Sequence, residues 1–135
     1  MKMFKEEFEK LAGYKVTRLD YFRIIEPMYM ATKLKKEEFV KVINRKEFET
    51  TPEKEALDKI RLYAEEYRNN AKNDGKFFIT TEFNNMVEEF ARKYYDSNKI
   101  WIGAETDILG NMYPAEFQII NESTYRVMKT FKLLI

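Results

Sequence analysis

The stretch that decides the fold class is residues 99–135, KIWIGAETDILGNMYPAEFQIINESTYRVMKTFKLLI. Branched and aromatic residues dominate "KIWIGA", "YPAEFQIIN" and "TYRVMKTFKLLI", and turn-forming Leu-Gly-Asn and Asn-Glu-Ser interrupt them. Such residues suit a pleated, half-buried surface, so two or three antiparallel strands are expected. As a strand, the last segment places Tyr125, Val127, Phe131, Leu133 and Ile135 on one face. As a helix it would align Val127, Met128, Phe131 and Leu134, and the pattern alone leaves both open.

Upstream of this stretch the spacing turns helical. Phe4, Phe8 and Leu11 recur at helical intervals, and Gly13 stands where a helix end takes a left-handed residue. Thr17 and Asp20 form a variant capping box for a second helix lined by Leu19, Phe22, Ile25 and Tyr29. Pro27 removes a backbone donor inside it, which predicts a kink near Arg23–Glu26. "KKEEFVKVIN" (35–44) predicts a third helix behind a poor cap, Lys35, with Leu34, Phe39, Val42 and Ile43 inward. In residues 50–75, Thr51 caps, Pro52 takes the first helical position and Gly75 stops the helix. Its apolar stripe is Leu57, Ile60, Tyr63, Ala64, Tyr67 and Ala71, and the opposite side is charged. "KFFIT" (76–80) reads as a short strand. Residues 80–98 return to helical spacing through Phe83, Met86, Val87, Phe90 and Tyr94, with Thr81 as cap. The expectation is a single α+β domain spanning 1–135, with N-terminal helices followed by a small antiparallel sheet of two to four strands.

Composition narrows the chemistry. The chain has no cysteine and no histidine among its 135 residues. That removes disulfides, thiol nucleophiles, zinc sites built on those residues, imidazole acid–base catalysis and the usual near-neutral pH switch. Net charge is +1, so no global field steers partners. Residues 1–48 hold 12 Lys/Arg against 8 Asp/Glu, and residues 49–135 hold 12 against 15. No apolar run approaches the ~20 residues of a membrane span, and "MKMFKEEFEK" lacks a signal peptide's apolar core. A cytoplasmic chain without membrane attachment is the expectation, and no motif implies a cofactor.

Four constellations invite a functional reading. Residues 24–39, IIEPMYMATKLKKEEF, join two short helices through a tight turn. With Lys33, Lys35, Lys36, Lys41, Arg45 and Lys46 this could be a helix-turn-helix or another basic nucleic-acid surface. Glu37 and Glu38 oppose that reading, because they occupy the first turn that would face phosphate. Met28 and Met30 flank Tyr29; methionines fill irregular cores or form adaptable partner surfaces, and core filling is the commoner use. Tyr94, Tyr95, Trp101 and Tyr113 gather near strand ends. Such rings can stack bases or anchor a protein interface, and the acidic balance of this half favours protein. Asp107 and Glu116, with Gln118 two residues on, loosely match the carboxylate pair of a Mg²⁺-dependent nuclease.

Residues 8–44, FEKLAGYKVTRLDYFRIIEPMYMATKLKKEEFVKVIN, resemble the N-terminal part of short uncharacterised proteins from phages and prophages of AT-rich Gram-positive bacteria. Phe8, Glu9, Leu11, Gly13, Tyr21, Ile25, Glu26, Met28, Tyr29, Met30, Lys36, Glu38 and Phe39 carry the resemblance. It implies a phage accessory protein in a bacterial host cell, a class that includes anti-CRISPR inhibitors. Most of these bind a host protein or nucleoprotein complex and act by occlusion; a minority are enzymes. The expected partner-binding residues are thus the six basic side chains with Tyr29, Trp101 and Tyr113. Asp107 and Glu116 are the metal-binding alternative. Oligomeric state is not legible.

Overall fold

The computed structural model describes residues 2–70 and 81–133. The fold is α+β: helices come first, and a three-stranded antiparallel sheet follows. The chain divides into two compact units, Met1–Asp58 and Lys59–Ile135. The expected strand at 76–80, the Gly75 stop, and Ala71, Leu134 and Ile135 lie outside the described residues.

The first unit is a set of short helices around a ring-rich core. Helix α1 (Lys5–Ala12) ends at Gly13, whose φ of 83° is the left-handed conformation that a helix stop requires. Thr17 accepts a hydrogen bond from the Asp20 amide at 3.1 Å and so opens α2 (Arg18–Asp20). The helix then widens into a π turn over Tyr21–Ile25, closed by the Glu26 amide donating to the Tyr21 carbonyl, and resumes as α3 (Glu26–Ala31). Pro27 falls in the first turn of α3, so the expected kink takes the form of a π turn.

That turn resets the helical phase. Tyr21, Ile25 and Tyr29 are buried, while Phe22, expected to point inward, is exposed. Helix α4 (Lys36–Val42) follows a cap residue, Lys35, that makes no side-chain cap bond. Phe39 and Ile43 point inward as expected, but Leu34 and Val42 do not, and neither does Leu11 on α1. A short helix α5 (Arg45–Phe48), not anticipated from sequence, is capped by Asn44 and buries Phe48. Phe8 sits at the centre, with the rings of Tyr14, Tyr21 and Phe39 at 5.9–6.4 Å in tilted or edge-on geometry. Such geometry suits the ring quadrupoles. The Tyr21 hydroxyl donates to the Met3 carbonyl, and Asp58 accepts from the Leu19 amide at 3.2 Å.

Helix α6 (Pro52–Asn70) starts as the sequence predicts: the Thr51 hydroxyl accepts from the Lys54 amide at 3.2 Å and Pro52 is the first helical residue. The boundary between the units falls within it. In the second unit Ile60 and Ala64 of α6 are buried, and Tyr63 stacks on Phe83 of α7 (Thr81–Tyr95) at 5.5 Å. Helix α7 packs on the sheet formed by β1 (Lys99–Thr106), β2 (Met112–Asn121) and β3 (Arg126–Lys132), in the order β1-β2-β3. Residues 126–132 are therefore strand rather than helix.

Period-two alternation sorts β2. Tyr113, Ala115, Phe117 and Ile119 are buried, and Phe117 and Phe131 meet Phe90 of α7 at 5.9 and 5.3 Å. A register shift between Ile119 and Ile120 interrupts the β2–β3 ladder. It breaks the predicted single face of β3: Phe131 and Leu133 are buried, whereas Tyr125 and Val127 are exposed.

Candidate functional site

The basic residues of 33–46 do not share one surface. Lys33, Lys35 and Lys36 line a cleft of about 580 Å³, together with Glu7, Tyr29, Met30, Thr32, Leu34 and Glu37. Lys36 is already engaged: its ammonium meets the Glu7 carboxylate at 2.8 Å and ties α4 to α1. That bond holds the Glu7 carboxyl below its ordinary value and the Lys36 ammonium above its own. Arg45 is held away from the cleft by two hydrogen bonds to Glu49, at 2.9 and 3.1 Å, and lies over the Tyr14 ring. Lys41 and Lys46 are exposed and outside the cleft lining. Lys41 follows Lys36 by five residues, about 140° around the helix. The arrangement leaves Lys33 and Lys35 beside carboxylates, not a continuous basic stripe.

The methionines give a clearer signal. Met28 is 46% and Met30 59% exposed, contrary to the core-filling expectation. Phe22, Ile24 and Leu34 are exposed as well, so five large apolar side chains within residues 22–34 face outward. Tyr29 between them points the other way, buried with its ring 5.1 Å from Phe39. The sequence hid this because the π turn shifts which residues share a face.

The four ring residues near the strand ends separate. Tyr113 is buried with the Arg68 guanidinium 5.2 Å over its ring, which makes it part of the packing. Tyr94 and Tyr95 pack on Phe90. Trp101 alone is broadly accessible, on the side of the sheet away from α7, because it lies directly opposite Gln118 rather than a buried residue of β2. A Cβ added to Gly103 would come within 2.9 Å of the Trp101 ring, so the indole rests on that glycine.

Asp107 and Glu116 are not brought together. Asp107 organises the β1–β2 turn: its Oδ1 accepts from the amides of Leu109 and Asn111 at 2.9 and 2.8 Å. Gly110 completes that turn at a φ of 85°. Glu116 pairs across the sheet with Gly103 and meets Lys132 at 3.3 Å. Asp107 lies beyond the end of β1, four residues past Gly103, about 13 Å along the strand direction. Among the described residues no group of three or more acidic side chains could hold a metal ion. No helix in them is long and apolar enough to cross a membrane.

No family model, no curated protein and no solved structure matches the chain. The choice of contact surface therefore rests on the geometry above.

Proposed function

We propose that this chain is a small protein-binding module whose contact surface is built from the exposed apolar side chains of residues 22–34 and the cleft that Met30 and Leu34 line. The observation that carries the reading is the outward pair Met28 and Met30, joined by Phe22, Ile24 and Leu34. Large exposed apolar side chains rimmed by charge are typical of partner contacts, and methionine adapts to a partner's shape. Lys33 and Lys35 at the rim favour a protein surface that offers carboxylates around an apolar anchor. A phage accessory role, with occlusion of a bacterial defence protein as the mechanism, is the biological setting that the resemblance of residues 8–44 supplies.

The test compares the chain with a Met28→Ser, Met30→Ser, Lys35→Glu variant as immobilised bait in lysate of an AT-rich Gram-positive host. All three positions are exposed, so stability should change by no more than about 0.5 kcal/mol per site. A discrete protein retained by the unmodified chain and lost with the variant supports the reading. Equal retention by both, or none by either, refutes it.

A further inference from the structure

The face of the sheet away from α7 carries a second set of accessible rings. Trp101 is 52% and Tyr125 71% exposed, and both line one shallow groove of about 430 Å³ with Lys99, Ile100, Gln118 and Ile120. Each ring has one supported side. The indole rests on Gly103, and the Lys99 ammonium lies 4.3 Å from the Tyr125 ring centre. The remaining side of each ring is available for a flat group. Tyr125 is itself held by the β2–β3 turn, where the Asn121 side chain accepts from the amides of Ser123 and Thr124 and the Asn121 carbonyl accepts from the Tyr125 amide.

Polar and charged groups surround the rings. Directly opposed residues share a face, so Gln118 and Thr130 supply hydrogen-bonding side chains beside Trp101. Of the β3 cations, Lys132 lies opposite Glu116 and so on this face, whereas Lys129 and Arg126 lie opposite Ile119 and Asn121, on the other face. One carboxylate lies close to the indole, Glu116, opposite Gly103 and paired with Lys132 at 3.3 Å; Glu122 sits in the turn. The acidic balance of residues 49–135 comes largely from α6 and α7, which hold Glu53, Glu55, Asp58, Glu65, Glu66, Glu82, Glu88 and Glu89.

We infer that the open sheet face binds single-stranded nucleic acid, with successive bases stacked on Trp101 and Tyr125 and a backbone phosphate drawn to Lys99. Rings on a sheet accept any unpaired base because every base has a π-face, and nearby cations add a salt-sensitive attraction for the backbone. Paired bases cannot reach the rings. This surface shares no residue with the exposed apolar side chains of residues 22–34 and stands apart from the protein-binding reading.

Trp101 is the single tryptophan of the chain, so its emission reports on this site alone. The experiment titrates the full chain at low ionic strength with an oligothymidylate of about 10 nucleotides, within the usual site size of one such surface. Saturable quenching is expected, weakening as salt rises, with no comparable quenching by a duplex. Tyr125→Gly should weaken binding on the order of 10-fold, the usual effect of losing one stacking ring. It should fold normally, because residue 125 has a φ of +54° that glycine adopts without strain. Lys99→Glu should weaken binding as well. Unchanged emission, equal quenching by duplex, or wild-type affinity in both variants would overturn the inference.

Discussion

The helical unit and the sheet unit are both rich in aromatic rings, and they dispose of them differently. In the helical unit Phe8, Tyr14, Tyr21 and Phe39 interlock in one closed cluster, and the surplus apolar side chains, among them Met28 and Met30, are left outside. In the sheet unit the pleat sorts residues by parity. Phe117 and Phe131 lie under α7, and Trp101 lies on the open side. A two-faced element divides its residues cleanly, whereas a run of three- to eight-residue helices around one core cannot bury every apolar position that a periodic pattern nominates.

The largest expected effect tests the closed cluster. Phe8→Ala removes the ring that three others meet, and should destabilise the protein by about 3–5 kcal/mol in denaturant unfolding. A loss below about 1 kcal/mol would mean that the cluster is not interlocked and would erase the contrast between the units.

The open sheet face should respond less. Gly103→Ala places a methyl group against the indole and near the Glu116 side chain, and should cost about 1–3 kcal/mol by overpacking. The displaced ring should change the tryptophan emission spectrum. An unaltered spectrum would show that the indole does not rest on the glycine.

The smallest effect is a pH dependence of the helical unit, with opposite signs at the two ends. Lys36 holds the Glu7 carboxyl below its ordinary value of 4.5, so this bridge stabilises the fold above that value and is lost as pH falls through the lowered one. Burial, reinforced by Glu26, pushes the Tyr21 phenol from 10.0 up to about 12. The unfolded chain therefore ionises first, and stability should fall as pH rises across that interval. Urea midpoints for the protein and for Tyr21→Phe check this: the variant should show the shallower alkaline decline, and parallel curves would discount Tyr21 as the cause.

Much of the architecture was legible. The strands of 99–132 declared themselves because branched and aromatic residues alternate there between turn signals. Thr51-Pro52 marked the start of α6 because each residue suits one position at a helix entrance. The inward faces of the early helices were not legible. Leu11, Phe22, Leu34 and Val42 fit a regular 3.6-residue stripe, but the stripe assumes one unbroken phase, and a π turn and several chain reversals break it. Arg45, Lys46 and Lys36 read as a basic surface because sequence does not reveal that Glu49 and Glu7 reach two of them. Tyr125 reads with Phe131 and Leu133 rather than as a site residue because its accessibility comes from a hairpin turn and a register shift, neither of which leaves a compositional mark.

The π turn has a consequence for Pro27. Widening a helix by one residue leaves a carbonyl without its usual donor four positions later, and a proline just beyond is a residue with no donor to give. The two irregularities coincide, so the segment from Arg18 to Ala31 carries one fault in its hydrogen-bond ladder instead of two. That economy lets a helix tolerate an internal proline while keeping Tyr21 and Tyr29, eight positions apart, anchored on the same side.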